Sequence, residues 1–409
     1  MHPPDPRTGH SRVIRVNPIE ACQACGSAKL ESFYSLMGIP VNSCLMVDTR
    51  KQALEFPTGD LELAYCHDCG FIQNVRFDSS AQRYSSDYEE TQAYSPRFVR
   101  FLENLCDDQI GKHDLAGKTV VEIGCGKGEF LAMLCERGDC RGIGFDPSFR
   151  PDRTAGFPMD RLTFVREFYD QSNSRIPADY VCCRHTLEHI PNVYEFLGMV
   201  QRSTVSSADV TVLFELPDIT RVLEEFAFQD LYYEHCSYFS PGSLARLFRR
   251  CGFAVADLWM AYDDQYVMIE ARLAGLEQKS DRFELETDLS DLAASVSAFK
   301  AGIGTRLERA RAEVVSWYTA GRRIVLWGSG SKAVSYLSTL GLTDEIAAVV
   351  DVNPHKHGKY LAGTGHQILS PASLEDSPPD TVIVMNSIYL DEIRLDLQSR
   401  RLSPEILSL

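Results

Sequence analysis

Short apolar runs rich in β-branched residues alternate with helical periodicity between residues 86 and 275. The runs that predict strands are Thr119–Ile123, Arg141–Phe145, Leu162–Val165, Tyr180–Cys183, Val210–Glu215, Val255–Tyr262 and Tyr266–Ala271. Strands separated by helical stretches are typical of a parallel sheet with crossover helices. We therefore predict an α/β domain over residues 86–275.

A second alternation of the same kind follows a long helical pattern. Apolar residues recur at positions 289, 292, 296, 299, 303 and 307, a spacing that predicts a helix bridging two domains. Predicted strands return at Arg323–Trp327, Ala347–Asp351 and Thr381–Met385, with a helix starting at Lys332. Residues 276–409 are thus predicted to form a second, smaller α/β domain. Residues 1–85 are rich in turn residues and are predicted to form a separate module.

The composition is that of a folded, acidic protein. The chain has 409 residues, of which 44% are hydrophobic and 24% charged, and its length suggests two to three domains of roughly 150 residues. Because 41 basic residues stand against 57 acidic ones, the net charge is −16, which argues against a nucleic acid or an anionic membrane as partner. The apolar stretches are shorter than the roughly 20 residues of a bilayer span. With 13 cysteines and no apparent secretion signal, we expect a cytoplasmic protein.

Two Cys-x-x-Cys pairs lie in the first 85 residues. Cys22 and Cys25 form one pair, Cys66 and Cys69 form the other, and a glycine follows each pair. Two such knuckles can bring four thiolates to one zinc ion, whose tetrahedral coordination is then complete and leaves no room for a substrate. We therefore predict a structural zinc site. Redox-active pairs or coincidence are the alternatives, and His67 could replace one thiolate.

A glycine-rich loop follows the first predicted strand of the central domain. Gly124, Gly126 and Gly128 lie between a strand and a helix, and Glu122 precedes them. Such a loop lets the backbone approach a ligand closely. The crowding at the third glycine suits S-adenosylmethionine, whose cationic end Glu122 can neutralise, and Asp146 at the end of the next strand can accept hydrogen bonds from both ribose hydroxyls. NAD or another nucleotide is the alternative.

Two later strand ends complete the predicted cofactor site. Phe168 follows the third strand, where its ring can flank the adenine, and His185 and His189 follow the fourth strand. We expect one of these histidines, His185, to contact the cofactor, and the other to pack against the following helix. Together these positions resemble those of class I methyltransferases.

An aromatic and titratable segment follows the fifth strand. It contains Tyr232, Tyr233, Glu234 and His235 and precedes a predicted helix that begins near residue 241. Ligands of doubly wound sheets bind in the crevice at the carboxyl ends of the strands, where this segment would lie. The segment is therefore either a functional element or an aromatic loop with a surface histidine.

Taken together, these motifs resemble the zinc-containing sugar C-methyltransferase family, which methylates carbon 3 of 4-keto deoxy sugars carried on a nucleotide. The resemblance rests on the two knuckles, the EIGCGKG loop, the HTLEHI and YxEH elements and the C-terminal WGSGSKA and VVDVNPHKHGKY segments, and it extends from Cys22 to Ile393. It implies an α/β fold with three parts: an N-terminal zinc-binding module, a central class I methyltransferase Rossmann-like domain, and a C-terminal second Rossmann-like α/β domain that helps to hold the nucleotide sugar.

The resemblance assigns roles within the YxEH element. By position, His235 matches the family's general base, and Tyr232 and Glu234 match its partners. A histidine can remove a proton next to a carbonyl at neutral pH. Tyr232 can then donate a hydrogen bond to the developing enolate oxygen, and Glu234 can orient the imidazole or hold a sugar hydroxyl. Tyr233 is expected to contact the substrate.

One stretch departs from the family pattern. Where the family has His-Gly-Gly-Ser, this chain has Asp263, Asp264 and Gln265 among its residues. The two carboxylates are expected to reshape the pocket and to disfavour an additional phosphate. The departure favours an O-methyltransferase acting on a sugar or natural-product hydroxyl as an alternative function. A non-catalytic nucleotide-sugar-binding protein is the other alternative.

The C-terminal domain carries a second glycine-rich loop. Residues 328–333 together with Asp351 would pass as a dinucleotide-binding fingerprint. In a chain that already binds S-adenosylmethionine, we favour a loop that holds the phosphates of the substrate at a helix N-terminus. Lys332 would add charge there, and Asn353 and Asn386 are expected to face the same cleft. A domain that only shapes the cleft is the alternative.

Overall fold

Three β-sheets organise the computed structural model of the chain, which describes residues 13–14, 17–82, 84–85, 87–173, 176–204, 209–275 and 282–409. The opening segment Met1–His10 lies outside the described residues. In the part of the chain that is described, no helix combines the length and the apolar character needed to cross a membrane.

The N-terminal sheet is built around its third strand. β3 (Thr58–Cys66) pairs in parallel with β1 (Val13–Ile14) and antiparallel with both β2 (Leu30–Pro40) and β4 (Ile72–Asn74). A short helix, α1 (Arg50–Leu54), lies between β2 and β3. These strands were not predicted, because β2 has no regular alternation of buried and exposed residues and its register with β3 shifts twice.

A seven-stranded sheet forms the central domain. Its strands are β5 (Thr119–Ile123), β6 (Arg141–Phe145), β7 (Leu162–Val165), β8 (Tyr180–Arg184), β9 (Thr211–Pro217), β11 (Phe253–Ala261) and β12 (Tyr266–Leu273), while β10 (Ser237–Tyr238) pairs with β4 of the N-terminal sheet. The order is β11-β12-β9-β8-β5-β6-β7. The strands β5 to β9 run parallel, whereas β11 and β12 form an antiparallel hairpin at one edge, so the sheet is mixed rather than parallel. The predicted strands are all present, with ends shifted by two residues at most.

Helices cover both faces of this sheet because alternate residues of its strands point to opposite sides. The helices of the central domain are α2 (Pro96–His113), α3 (Glu129–Gly138), α4 (Val193–Thr204), α5 (Ile219–Glu225) and α6 (Pro241–Arg250). On one face Val120 of β5 shares a hydrophobic cluster with residues of α2 and α3, and on the other face Val121 shares a cluster with residues of α4 and α6.

The C-terminal domain follows a long helix, α7 (Leu289–Thr319), which continues beyond the predicted pattern. Its strands and helices are β13 (Ile324–Trp327), α8 (Ser331–Leu340), β14 (Ala348–Val350), β15 (Ile368–Leu369), β16 (Thr381–Val384), α9 (Leu390–Ser399) and β17 (Glu405–Ser408). All five strands are parallel, in the order β15-β14-β13-β16-β17. This order places the second glycine-rich loop, which follows the central strand β13, at the carboxyl edge of the sheet where ligands bind.

One hydrophobic core joins parts of the chain that are distant in sequence. Phe299 of α7 is fully buried, and its ring contacts those of Phe33, Tyr34 and Phe226 at centroid distances between 5.5 and 6.1 Å. An added Cβ on Gly302 would lie 2.7 Å from the Phe226 ring, so α7 approaches this ring too closely for a side chain. The N-terminal sheet, the central domain and α7 therefore hold one another in place.

Replacing Phe299 with alanine is expected to lower the free energy of unfolding by about 3–5 kcal/mol, because the lost ring leaves a cavity among rigid neighbours. Thermal and chemical unfolding followed by circular dichroism measure the change. Tyr318→Ala is the control, since Tyr318 lies in the same helix but is 47% exposed, and it is expected to change the stability by less than about 0.5 kcal/mol. Equal stabilities of the two variants would contradict the shared core.

Candidate active site

The loop between β5 and α3 passes too close to its neighbours to carry side chains. Gly124 and Gly126 have φ values of 72° and 54°, in the left-handed region that favours glycine. A Cβ added to Gly124 would lie 1.9 Å from the Thr186 hydroxyl oxygen. A Cβ added to Gly126 would lie 2.7 Å from a carboxylate oxygen of Glu90. Both glycines line the adjoining cavity, so bare backbone is presented to a ligand there.

Two carboxylates flank this loop and differ in how they are bonded. Glu122 is buried, its Oε2 atom has no hydrogen-bond partner among the described residues, and burial raises its pKa to about 8. Asp146 instead accepts hydrogen bonds from the backbone N–H groups of Gly126 and Ser148 at 2.9 and 2.6 Å. A cationic amino group would satisfy Glu122, and the lone pairs left on Asp146 can accept from ribose hydroxyls. These residues fit S-adenosylmethionine.

A cavity of about 1270 Å³ extends from this loop to the C-terminal domain. Its wall includes Asp146 of the central domain, Tyr232 and His235 of the YxEH element, and Ser331 at the N-terminus of α8. Ser331 also reaches the N-terminal module, because its hydroxyl lies 2.7 Å from that of Ser43. Cys44 and Phe77 of the N-terminal module also border the cavity, so all three parts of the chain contribute to one cleft, which has room for a cofactor and an acceptor together.

The His235 imidazole lies among other rings at one end of the YxEH element. Its centroid is 4.2 Å from that of the Tyr232 ring and 4.8 Å from that of the His189 ring. Burial, together with the charges of His189 and His185, holds the pKa of His235 well below its usual value. The ring is therefore neutral at physiological pH, which is the form that can accept a proton.

A buried ion-pair network lies next to this ring. Glu215 lies 2.8 Å from Arg184 Nε and 2.8 Å from His185 Nε2. The two cations lower the pKa of Glu215 to about 2, although burial alone would raise this pKa. In turn, Glu215 raises the pKa of His185 to about 9, although burial alone would lower the pKa of this histidine. His185 is therefore a cation on the cavity wall at neutral pH.

The segment formed by residues 87–95 connects the walls of the cleft. The Tyr88 hydroxyl donates to a Glu234 carboxylate oxygen at 2.5 Å, and Lys127 Nζ donates to the Tyr88 carbonyl at 2.7 Å. Lys127 also donates to the Glu90 carboxylate at 3.1 Å, and burial raises the pKa of Glu90 to about 7. The segment is thus held by both the YxEH element and the glycine-rich loop.

The sulfur atoms of the two Cys-x-x-Cys knuckles lie close together. Those of Cys22 and Cys69 are 3.6 Å apart, those of Cys25 and Cys66 are also 3.6 Å apart, and all four lie within 4.8 Å of one another. Tetrahedral zinc with Zn–S bonds of about 2.3 Å separates its sulfur atoms by about 3.8 Å. The Arg246 side chain of α6 donates to the Cys69 carbonyl at 2.9 Å, which attaches this cysteine cluster to the central domain.

Two family models match the chain. Residues 89–258 match a model described as a methyltransferase domain, and residues 271–402 match one described as a C-methyltransferase C-terminal domain. The C-methyltransferase NovU of Streptomyces niveus is 28% identical over 398 residues, which cover 92% of each chain. The chain thus carries a methyltransferase domain followed by a C-methyltransferase C-terminal domain, and it is similar to a C-methyltransferase over almost its whole length. These matches confirm the prediction of an S-adenosylmethionine-dependent C-methyltransferase rather than the alternative of a non-catalytic binding protein.

Solved structures of other methyltransferases resemble part of this C-methyltransferase. Magnesium protoporphyrin IX methyltransferase from Synechocystis is 17% identical with a TM-score of 0.34, and the match covers 43% of this chain and 84% of the other. A 1,6-didemethyltoxoflavin-N1-methyltransferase from Burkholderia thailandensis is 16% identical with a TM-score of 0.34, covering 44% of this chain and 82% of the other.

The structure brings most of the predicted site residues of the C-methyltransferase to the wall of one cavity. These are Glu122, Gly124, Gly126, Asp146, Phe168, His185, Tyr232, His235, Lys332, Asn353 and Asn386. Gly128 does not belong to this wall. It precedes the first residue of α3, and an added Cβ there would lie 2.6 Å from the Phe164 ring, so the close approach at Gly128 is to a packed side chain.

Tyr233 and Glu234 are not on the cavity wall, which corrects the expectations that Tyr233 contacts the substrate and that Glu234 holds a sugar hydroxyl. Tyr233 is buried in the N-terminal module, so close to Gly59 that an added Cβ would lie 2.4 Å from its ring. Glu234 accepts hydrogen bonds from the Ser43 N–H and, at 2.7 Å, from the Ser43 hydroxyl. Neighbouring side chains of the segment point to different sides, and only Tyr232 and His235 reach the cavity.

Two predicted substrate-binding residues reach the cavity with their polar atoms already engaged. Lys332 Nζ lies 2.6 Å from Asp230, and burial lowers the pKa of this lysine. Asn353 donates to the Glu89 carboxylate at 3.0 Å. The charge expected to attract a phosphate is therefore compensated within the protein, and Asn353 connects the C-terminal domain to the 87–95 segment.

The stretch that departs from the family pattern does not place acids in the pocket, which corrects that expectation. Asp263 and Asp264 lie in the turn between β11 and β12, outside the cavity wall, and Asp263 pairs with Arg97 at 2.6 Å. Gln265 and Asn386 exchange two side-chain hydrogen bonds of 3.0 Å. The stretch therefore attaches the C-terminal domain to the central sheet, and the case for an O-methyltransferase loses its basis.

Several residues on the cavity wall were not assigned from the sequence. They are Tyr84, Tyr88, Glu90, Glu188 and His189. His189, which was expected to pack against the following helix, also borders the cavity, where its Nδ1 atom lies 2.9 Å from the Tyr84 hydroxyl. The density of tyrosines and acids in the stretch RYSSDYEETQAY was an available signal, but the stretch coincides with the predicted domain boundary and reads as a linker.

The ion pair of His185 predicts a pH-dependent contribution to stability. Because its folded-state pKa of about 9 exceeds the roughly 6.5 of an unfolded histidine, the contribution is complete below pH 6.5 and is lost as the pH rises through 9. His185→Gln is therefore expected to cost on the order of 2–3 kcal/mol near pH 6 and much less above pH 9.5. Chemical denaturation of both proteins at the two pH values tests this, and a difference that does not change with pH would contradict it.

Proposed function

We propose that this enzyme methylates the carbon next to the ketone of a nucleotide-linked 4-keto deoxy sugar, with His235 as the general base. The observation that carries the proposal is the neutral His235 imidazole on the wall of the cavity that also contains the first glycine-rich loop and the N-terminus of α8. The likeness to the C-methyltransferase NovU over 92% of both chains supports carbon as the acceptor atom.

A carbon acceptor must lose a proton before it can attack a methyl group. The C–H bond next to a ketone is acidic enough for this because the electron pair passes into an enolate. In the proposed step, His235 takes the proton on a ring nitrogen, which requires the neutral ring that burial favours. S-adenosylmethionine, bound at the glycine-rich loop, supplies the electrophilic methyl group.

In this proposal Tyr232 stabilises the enolate. Its ring lies 4.2 Å from that of His235 and borders the same cavity. Burial holds the pKa of Tyr232 well above its usual value, so the hydroxyl keeps its proton at neutral pH. A protonated hydroxyl in this position can donate a hydrogen bond to the oxygen on which negative charge develops.

The extent of the cavity favours a nucleotide-linked acceptor. Beyond the first glycine-rich loop the cavity reaches Gly330 and Ser331, where the backbone N–H groups at the start of α8 can bind phosphate oxygens. Exposed apolar side chains of Val352 and Leu395 border the same end and offer a surface for a base or sugar ring. Because Lys332 is paired with an acid, the proposed phosphate contacts are those of the backbone.

Incubation of the enzyme with a nucleotide 4-keto sugar in heavy water, without cofactor, is expected to introduce deuterium at the carbon next to the ketone. His235→Ala is expected to slow this exchange by about 100-fold or more, because the base is lost. His366→Gln, at a histidine outside the cavity wall, is the control and should exchange like the wild type. Proton NMR measures the exchange. Absence of exchange in the wild type, or a product methyl group on oxygen, would contradict the proposal.

We also propose that the cysteine cluster (Cys22, Cys25, Cys66 and Cys69) holds a structural zinc ion. The sulfur separations of 3.6 Å agree with tetrahedral thiolate coordination. Cys66 is the last residue of β3 and pairs in register with Leu30, the first residue of β2, so the metal would fasten the open end of this hairpin. Four thiolates leave no coordination position for a substrate.

Metal analysis of the purified enzyme is expected to find one zinc ion per chain, and Cys66→Ser to abolish it. Loss of the metal should raise the rate of proteolysis within the first 85 residues more than elsewhere, because metal binding and folding of such a module are coupled. Cys251→Ser, at a cysteine outside the cluster, is the control. Unchanged proteolysis after verified metal loss would rule out a structural role.

A further inference from the structure

Glu188 is a buried carboxylate that none of the roles described above uses. It lies in the short 3₁₀ turn Leu187–His189, and its side chain is only 3% exposed. Both of its carboxylate oxygens lack a hydrogen-bond partner among the described residues, although the residue borders the cavity. A buried carboxylate without a partner is costly unless a proton, a water molecule or a cation satisfies it.

The backbone fixes Glu188 beside the proposed base. Its carbonyl accepts a hydrogen bond at 3.0 Å from the N–H of Cys236, the residue that follows His235. A carboxylate oxygen of Glu188 and ring nitrogens of His189 and His235 all lie within 4.8 Å of one another. One water molecule with two hydrogen bonds of about 2.8 Å can bridge a gap of this size.

The other groups around Glu188 already have partners. His189 Nδ1 lies 2.9 Å from the Tyr84 hydroxyl. On the other side, His185 approaches the Glu188 carboxylate at 3.5 Å but is paired more closely, at 2.8 Å, with Glu215. Glu188 is therefore a carboxylate with free acceptor capacity next to His235.

We propose that Glu188 accepts, through one water molecule, the proton that His235 removes from the acceptor carbon. This inference rests on the proposed function. First, the C–H bond breaks, its electron pair passes into the enolate, and the proton binds a His235 nitrogen. Then the imidazolium N–H bond breaks and the bridging water passes a proton to Glu188, which leaves a neutral imidazole and a carboxylic acid.

The environment of the two residues supports this direction of transfer. Burial and the neighbouring histidines disfavour the charged form of His235, so an imidazolium formed there holds its proton weakly. Glu234, which is adjacent in sequence, cannot take the same part, because its oxygens accept hydrogen bonds from Ser43 and Tyr88. Removal of the proton by Glu188 returns the base to its active form before the next turnover.

Rapid-quench kinetics of methyl transfer separate the first turnover from regeneration of the base. Glu188→Gln is expected to form about one product per active site within about threefold of the wild-type rate, because His235 still takes the first proton, and then to turn over about 100-fold more slowly. Glu188→Asp keeps a carboxylate and is expected to recover most of the steady-state rate. Glu195→Gln, an exposed glutamate of α4, is the control and should resemble the wild type.

Three results would overturn the inference. The first is a steady-state rate of Glu188→Gln equal to that of the wild type. The second is an equal loss of the first-turnover rate and the steady-state rate in Glu188→Gln, when this variant keeps its thermal midpoint and still binds S-adenosylhomocysteine. Such an equal loss would mean that the substitution displaces other residues of the site. The third is a second metal ion per chain, beyond that of the cysteine cluster, that Glu188→Gln loses, since Glu188, His189 and His235 would then be its ligands.

The outcomes also separate this inference from the proposed function. A wild-type enzyme that methylates no keto sugar overturns both. A wild-type enzyme that methylates a keto sugar at the same steady-state rate as Glu188→Gln overturns the role of Glu188 alone. If Glu188→Gln does not fold, Glu188→Ala provides the comparison, because it also lacks the carboxylate and must give a fast first turnover followed by a slower steady state.

Discussion

The buried carboxylate of Glu234 joins three parts of the chain and determines where His235 lies. It accepts hydrogen bonds from Ser43 in the N-terminal module and from Tyr88 in the segment that connects the walls of the cleft. A buried charge is tolerated only when such partners compensate for its lost hydration, and removing one of them is strongly destabilising. Because His235 is the next residue, every contact that holds Glu234 also holds the imidazole at the cavity wall.

This arrangement divides the YxEH element into two functions. Tyr233 and Glu234 anchor the element to the N-terminal module, while Tyr232 and His235 face the cavity. The module that carries the cysteine cluster is also part of the active-site wall, since Cys44 and Phe77 border the cavity. The aromatic contacts of Phe299 extend the same dependence to α7. The cleft exists only when all three parts are assembled.

The charges that border the cleft are largely compensated within the protein. His185 is paired with Glu215, Lys332 with Asp230, and Glu122 is held neutral by burial when no cation lies next to it. A site of this kind suits a reaction in which charge develops transiently on the acceptor, because fixed dipoles and hydroxyls can respond to it without competing ions. Glu188 differs from these groups, because its carboxylate oxygens have no hydrogen-bond partner among the described residues.

Local spacing predicted the glycine-rich loop, both Cys-x-x-Cys pairs and the strands of the central sheet, because turn residues and periodicity act over a few neighbouring positions, whereas His235 was singled out by the resemblance of its YxEH element to a known family. Tertiary structure alone decided which side chains of the YxEH element reach the cavity, that the acids of the β11–β12 turn point elsewhere, and that Glu188 lies beside the base. The physical reason is that burial and partners come from distant parts of the chain: Glu234 meets Ser43 across 191 positions, and Asn353 meets Glu89 across 264. No pattern of neighbouring residues encodes such a meeting.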